Sequence, residues 1–193
     1  LLSDEVYRGA ELSGVESPSV YTGRKKDIVN SGLSKAYRLP GLRLGWSVTD
    51  PDTIWRLWKL HDYTTISLGT VSDAVAAKVL QPDRRKKLLA GTNQFLKTNL
   101  AILTDWIESQ DGLFSFTPPE AAAIAFPEYH LDVPSIELID KIRDEQSVLI
   151  MPGKWFGVEN HVRIGYGTPP DFLKKSLALM GRTFNGMRDQ VSA

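Results

Sequence analysis

Residues 30–46 read NSGLSKAYRLPGLRLGW, and this stretch contains the two cations around which the sequence is organised. Lys35 follows a run of small residues, and Arg43 comes eight positions later. Small residues let another group approach the backbone closely, and a surface lysine needs no such setting. The pattern indicates a reactive amine beside a site that binds an anion.

The composition argues against several kinds of partner. The 193 residues include 23 Lys plus Arg and 23 Asp plus Glu, so the net charge gives no reason to expect nucleic acid or a membrane as a partner. Cysteine is absent and there are only three histidines, so we predict no metal site. No apolar run is long enough to span a bilayer and no signal peptide is visible, so we expect a cytoplasmic protein.

The order of predicted elements indicates an α/β fold that divides near residue 81. Strands followed by helices come first, and a long helix, short strands and two more helices follow. We therefore predict that residues 1–80 are the remainder of a large domain and that residues 81–193 form a small α+β domain. The predicted strands lie in LLSDEVY, DIVNSGLSK, LRLGWSVT, LFSFTPP, AAAIAFPEY, SVLIMPG and HVRIGYG.

Local signals set the helix starts. Asp50 before Pro51 is typical of a helix start, because the aspartate caps and the proline fits the first turn. After Pro82, a long helix is predicted to about residue 109 because its apolar residues share a face. Those residues are Leu89, Phe95, Leu96, Leu100, Leu103, Trp106 and Ile107. The basic run DRRKK at the start of this helix is interpreted as a solvated first turn.

Polar side chains stand at the ends of predicted strands, where α/β sheets bind ligands. They are Asp4, Tyr7, Lys35 and Arg163, and Arg43 follows Lys35 after a turn. Pyridoxal phosphate needs such a set: a lysine, a carboxylate for its ring nitrogen, a phenol for its ring oxygen and a guanidinium for its phosphate. A second guanidinium can hold a substrate carboxylate through paired hydrogen bonds.

These motifs give the chain a resemblance to the C-terminal part of class I/II aminotransferases, which are fold-type-I pyridoxal-phosphate enzymes. SDEVY is similar to the family's aspartate-x-x-tyrosine strand, and LSKAYRLPGLRLGW to its Schiff-base lysine segment. HVRIGYG is similar to the strand with the carboxylate-binding arginine, and VLIMPGKWFG to the segment before it. The resemblance covers essentially the whole chain and implies the end of a large-domain sheet plus a small C-terminal domain.

The resemblance also implies a role for each residue. Asp4 would pair with the pyridine nitrogen, and Tyr7 would hydrogen-bond the phenolic oxygen of the cofactor. Lys35 would form the Schiff base and, once displaced by substrate, act as general base. Arg43 would bind the phosphate, and Arg163 would bind the substrate carboxylate.

One position departs from the family pattern. A hydroxyl residue is usual three places before the lysine, and here that place is Gly32. Ser34 precedes the lysine, as in many members, and is assigned to the cofactor site. Whether Ser31 or the Gly32 backbone N–H replaces the missing hydroxyl stays open.

The implied function is transfer of an amino group between an amino acid and a 2-oxo acid by a homodimer. We expect a fragment that is inactive alone, because the family's N-terminal half has no counterpart and the chain starts without Met in a strand-like stretch. Two alternatives stay open: a lyase or cyclising synthase with the same residues, and a non-catalytic folded fragment. For Arg163, a salt bridge with an acid such as Glu159 is the structural alternative.

Overall fold

A computed structural model describes residues 1–191, and the chain forms two compact units. The first unit comprises Leu1–Gln94 with Glu120–Ala122. The second comprises Phe95–Pro119 with the described residues from Ala123 onward. The division falls within one long helix. The domain boundary near residue 81 stays a prediction, because compactness alone does not show which part folds by itself.

The first unit is built on a three-stranded sheet with the order β1-β2-β3. Its strands are β1 (Leu2–Asp4), β2 (Ile28–Gly32) and β3 (Gly45–Val48). β1 and β2 are parallel with Asp4 opposite Asn30, whereas β2 and β3 are antiparallel with Gly32 opposite Gly45. The ends of β1 and β2 and the start of β3 therefore lie at the same edge of the sheet.

The helices of this unit begin where the sequence predicts. They are α1 (Pro51–His61), α2 (Thr70–Val79) and the first half of α3 (Pro82–Glu108). Asp50 caps α1, since its Oδ1 accepts a hydrogen bond from Thr53 N at 3.1 Å and its Oδ2 accepts one from Thr53 Oγ1 at 2.7 Å. The predicted cap is therefore confirmed.

α1 buries none of its residues within the described chain. Its apolar side chains are 39% to 65% exposed: Ile54, Trp55, Leu57, Trp58 and Leu60. A helix normally buries its apolar stripe against another element, so this face is unpartnered in residues 1–191.

Among its described residues, the second unit contains two small sheets and three α-helical pieces, the first of which is the second half of α3. The strands are β4 (Phe114–Ser115), β5 (Ile124–Ala125), β6 (Glu128–Tyr129), β7 (Met151–Pro152) and β8 (Val162–Gly165), and the helices are α4 (Ser135–Gln146) and α5 (Pro170–Val191). β4 pairs with β6, and the other sheet has the order β5-β8-β7. The stretch AAAIAFPEY, predicted to be strand-like and broken by proline, contains two strands, β5 and β6, which separate around Pro127. A proline has no N–H to donate to a ladder, which is a physical reason for the break.

The apolar face predicted for the long helix is confirmed. Leu89, Leu96, Leu103 and Ile107 are at most 9% exposed. The other members of the face, Phe95, Leu100 and Trp106, are half-buried. Among residues 1–191, no helix combines the length and the apolarity needed to cross a membrane.

The Asp50 cap makes a testable contribution to stability. Hydrogen bonds, first of all from the Thr53 hydroxyl, lower the pKa of Asp50 from 3.8 to about 2. A carboxyl whose pKa is lowered by folding stabilises the fold above pH 3.8, and this contribution is lost as the pH falls to about 2. Asp50→Asn replaces the oxygen that accepts from Lys26 N and Thr53 Oγ1, so it is expected to unfold more easily at neutral pH.

Chemical denaturation at a series of pH values measures this effect. The difference in unfolding free energy between the unaltered protein and Asp50→Asn should be constant from about pH 7 to pH 5 and should disappear towards pH 2. Asp52→Asn is the control, because Asp52 forms only an exposed pair with Lys25 at 3.2 Å. A difference for Asp50→Asn that persists at about pH 2 would contradict the assignment.

Candidate active site

The sheet of the first unit brings five of the six predicted site residues to one region of the chain. Asp4 is the last residue of β1, and Lys35 follows β2 by three residues. Arg43 precedes β3 by two residues, at the same edge. The Lys35 Nζ lies 5.9 Å from the centre of the Tyr7 ring. Parallel pairing of β1 with β2 explains this grouping, because it places both strand ends together.

The lysine is held in a fixed turn. Leu33 and Ala36 are fully buried on either side of it, whereas Lys35 itself is exposed. Leu33 N donates to Leu44 O at 3.0 Å, Arg38 N donates to Lys35 O at 3.0 Å and Ala36 N donates to Val6 O at 3.3 Å. The turn is therefore anchored to β3 and to the segment after β1, and it presents one amine to solvent.

Asp4 keeps most of its hydrogen-bonding capacity for another group. Its Oδ1 accepts a hydrogen bond from Val6 N at 3.0 Å, and this contact orients the carboxyl. Within residues 1–191 it has no ion-pair partner, although Lys35 lies just after β2 and Arg43 just before β3 of the same sheet. A carboxylate in this setting can accept a hydrogen bond from a protonated ring nitrogen.

Arg43 lies in a strained turn after a short 3₁₀ helix, Pro40–Leu42. Its φ of 47° is left-handed, a conformation that costs a non-glycine residue roughly 1–2 kcal/mol. Nη1 donates to Pro40 O at 3.1 Å, and no carboxylate within the described chain pairs with the guanidinium. Its remaining N–H groups are available to a phosphate, which a guanidinium binds through parallel hydrogen bonds.

The hydroxyls near the lysine differ in their availability. Ser31 Oγ donates to Glu5 O at 3.3 Å, so this hydroxyl is engaged within the protein. Ser34 is half-buried, and its hydroxyl has no hydrogen-bond partner in the part of the chain that the structure describes. Of the two serines beside Gly32, the geometry therefore favours Ser34 as the hydroxyl for a bound anion.

Gly32 lacks a side chain because β3 approaches it closely. A Cβ at Gly32 would lie 3.1 Å from Leu44 O and 3.3 Å from the Gly45 Cα. The Leu44 carbonyl cannot withdraw easily, since it accepts the 3.0 Å hydrogen bond from Leu33 N. The departure from the family pattern at this position thus has a steric reason in this chain.

Arg163 lies in the second unit, on β8. Its neighbours Val162 and Ile164 are buried, as the alternation predicts, and Arg163 itself is half-buried on the opposite face. Its guanidinium lies 5.8 Å from the centre of the Phe156 ring.

The salt bridge between Arg163 and Glu159, weighed as an alternative, does not form in the described structure. The Glu159 carboxylate instead accepts hydrogen bonds from Ser135 N at 3.2 Å and from Ser135 Oγ at 2.8 Å. It thereby serves the N-terminus of α4, where Pro134 offers no side-chain cap. Arg163 consequently has no carboxylate partner among residues 1–191.

The interpretation of DRRKK as a solvated turn is wrong for Arg85. Arg84, Lys86 and Lys87 are exposed, but the Arg85 side chain is only 30% exposed. Its Nη2 lies 2.6 Å from Glu16 Oε1, and the hydrogen bond to Glu16 raises the pKa of Arg85. The sequence gives no signal for this pair, because its members are 69 residues apart.

Comparison with known proteins identifies the family. A sequence profile described as "Aminotransferase class I and II" matches residues 1–178, so the chain belongs to this family. It is 31% identical over 146 residues to capreomycidine synthase of Streptomyces vinaceus, which covers 76% of this chain and 37% of that protein. It is 27% identical over 188 residues to asparagine–oxo-acid transaminase of Streptococcus mutans, covering 92% and 47%.

A solved structure shows the same fold. A PLP-dependent aminotransferase from Streptococcus suis matches with a TM-score of 0.86 and 32% identity, covering 96% of this chain and 48% of that one. The predicted fold class, the C-terminal portion of a fold-type-I enzyme, is thereby confirmed. The chain spans less than half the length of these relatives.

Pyridoxal phosphate is the cofactor of this family, and the residues of the first unit fit it. In the part of the chain that the structure describes, Asp4 is a carboxylate without an ion-pair partner, Lys35 is an exposed amine, and Arg43 and Ser34 offer a guanidinium without an acidic partner and an unpartnered hydroxyl. These groups suit the ring nitrogen, the aldehyde and the phosphate of the cofactor, in that order. Within residues 1–191, no group of three or more His, Cys, Asp or Glu side chains is placed to hold a metal ion.

The close approach of the strands at Gly32 predicts the effect of restoring the usual hydroxyl. Gly32→Ser should lower the free energy of unfolding by about 1–3 kcal/mol, because the new Cβ must displace the Leu44 carbonyl. Gly41→Ser is the matched control: a Cβ at Gly41 meets nothing within 4 Å, and its effect should stay within about 0.5 kcal/mol. Equal unfolding midpoints and slopes for the two variants in urea would contradict the prediction, because they would show that β3 can move away from the new side chain without loss of stability.

Proposed function

We propose that this chain is the C-terminal half of a pyridoxal-phosphate-dependent aminotransferase that exchanges an amino group between an amino acid and a 2-oxo acid. The observation that carries the proposal is the set of mutually unpaired charges at the edge of the first sheet. Asp4 is an acid, and Lys35 and Arg43 are bases near the ends of neighbouring strands. The acid forms no ion pair with either base. Such an arrangement suits an added ligand that satisfies each group separately.

Each residue of the edge has a separate task. When bound, the cofactor supplies an aldehyde and an electron-withdrawing ring. The Asp4 carboxylate would hold a proton on the ring nitrogen, and Tyr7 would donate a hydrogen bond to the ring oxygen. Arg43 and Ser34 would bind the phosphate and so fix the orientation of the ring.

Lys35 would work in two ways. Its amine would attach the cofactor between substrates, and its Nζ would later take a proton from the substrate α-carbon and return it elsewhere. Both tasks need an amine on a fixed backbone. The buried neighbours Leu33 and Ala36 supply that rigidity.

Arg163 would bind the α-carboxylate of the substrate. Its guanidinium lies on the polar face of β8 and has no acidic partner within residues 1–191, so its donors are available for a carboxylate. The Phe156 ring beside it limits the positions that the guanidinium can adopt. A fixed carboxylate would hold the substrate in one orientation, which speeds proton removal by positioning.

The complete enzyme is proposed to be a homodimer of a chain about twice this length. The relatives are more than twice as long as the matched part, which supports a longer polypeptide. The uncovered apolar face of α1 supports further protein contacts, from the rest of the polypeptide or from a second subunit. The 193 residues alone are proposed to be inactive.

A cyclising synthase is the second candidate. It is favoured by the 31% identity to capreomycidine synthase, whose name describes a different outcome from amino transfer. The residues at the sheet edge serve either reaction, because both begin with removal of the same type of proton. A panel of amino acids and 2-oxo acids, assayed for keto-acid formation and for cyclised product, separates the two candidates.

Lys35 provides the direct test of the proposed function. Borohydride reduction of the full-length protein with pyridoxal phosphate should leave a stable pyridoxyl group on the peptide that contains Lys35. Lys35→Ala should abolish this label, because the set of assigned site residues contains one lysine. Lys59→Ala on the exposed α1 is the control and should be labelled as the unaltered protein is. Labelling at Lys26 or Lys59 instead, or none at all, would refute the proposal and favour a non-catalytic module.

Arg163 tests the substrate role separately. Arg163→Lys should keep the visible absorbance of the bound cofactor but lower kcat/KM about ten- to a hundredfold, the loss expected for charge-assisted hydrogen bonds worth about 1.5–3 kcal/mol. The exposed Arg182 offers the same substitution elsewhere, and Arg182→Lys should leave kcat/KM unchanged. Unchanged kcat/KM in Arg163→Lys would exclude the carboxylate role, whereas loss of the cofactor would indicate a structural one.

A further inference from the structure

A chain of polar contacts connects the loop after β1 with the turn after β2. Arg8 Nη2 lies 3.2 Å from Glu16 Oε1, and Arg85 Nη2 lies 2.6 Å from the same oxygen. Arg85 Nε then donates a hydrogen bond to Tyr37 Oη at 2.9 Å. We call these four residues the Arg85 network. Arg85 is its central member, because it contacts both the acid and the phenol.

The two ends of the Arg85 network adjoin two residues of the proposed site. Arg8 is next to Tyr7 in the sequence, and Tyr37 is two positions after Lys35. The Lys35 Nζ in turn lies 5.9 Å from the centre of the Tyr7 ring. The network and the contact between Lys35 and Tyr7 both join the segment around Tyr7 to the segment around Lys35. A change in the network is therefore expected to alter the placement of Lys35 relative to Tyr7.

Burial restricts the movement of the side chains in the Arg85 network. The Tyr37 residue is only 3% exposed, and its ring meets Trp46 edge-on with centres 6.2 Å apart. The side chains of Arg85 and Glu16 are 30% and 27% exposed, so solvent screens their pairing only in part. A buried phenol that loses its hydrogen-bond donor moves to find another or stays unsatisfied.

We propose that Arg85 is a positioning residue which, by binding Tyr37 and Glu16 together, holds Lys35 in place for bond formation with pyridoxal phosphate. The proposal rests on the proposed role of Lys35. Arg85 acts through the main chain between Tyr37 and Lys35. Its effect is therefore on the placement of the amine.

The test uses the full-length protein freed of cofactor. Added pyridoxal phosphate bonds its aldehyde carbon to the Lys35 nitrogen with loss of water, and visible absorbance follows the rate at a temperature well below unfolding. Tyr37→Phe removes one oxygen and keeps the ring, and Arg85→Gln removes the guanidinium. Both variants should form the bond about ten- to a hundredfold more slowly, as expected for a displaced reacting group. Lys86→Gln, an equal loss of charge at the next position of α3, should react at the unaltered rate.

The outcomes separate positioning from stability. A network that is only structural would lower the melting temperatures of Tyr37→Phe and Arg85→Gln and leave both rates unchanged, which would overturn the proposal. Slow reaction in Arg85→Gln with normal reaction in Tyr37→Phe would also overturn it, because the effect would not pass through the phenol. If Arg85→Gln does not fold, the rate of Tyr37→Phe decides. Absence of bonding at Lys35 in the unaltered protein would instead refute the proposed function.

Discussion

Parallel pairing of β1 with β2 is the constraint on which the candidate site depends. It aligns Asp4 with Asn30, and so the chain that leaves β1 and the chain that leaves β2 emerge at the same edge. The antiparallel β3 then starts at this edge, which is why Arg43 arrives there eight residues after Lys35. Three short strands thus gather acid, amine and guanidinium without any contact among the three charges.

The backbones of β2 and β3 approach each other closely at this edge, which limits the side chains that fit there. β3 leaves no room for a Cβ at Gly32, so the hydroxyl that the family usually places there is absent. Arg43 accepts a left-handed backbone at the end of the turn. Around Lys35, the buried residues Leu33 and Ala36 and their main-chain hydrogen bonds hold the backbone, and the Lys35 side chain is exposed. Rigid surroundings for one mobile reactive group are what proton transfer at a set position requires.

Sequence patterns predicted the parts of the molecule that depend on local chemistry. Asp50 and Pro51 predicted the start of α1, and the motifs placed Asp4 and Lys35 at strand ends. Contacts between distant residues gave no such signal. Arg85 looked like one cation of a basic run, because its partner Glu16 lies in a loop that periodicity does not connect to α3. The partner of Glu159 was likewise ambiguous from the sequence, which allowed a salt bridge with Arg163. The fold shows that Glu159 instead accepts a hydrogen bond from Ser135 at the start of α4.

A crystal structure of the full-length protein with pyridoxal phosphate tests the central claim most directly, because the claim is that one sheet edge holds the whole cofactor. The account predicts a covalent bond at Lys35, the ring nitrogen within hydrogen-bonding distance of the Asp4 carboxylate, and the phosphate bound by Arg43 and Ser34. Electron density for the phosphate at any other place, or an Asp4 carboxylate turned away from the ring nitrogen, would contradict it.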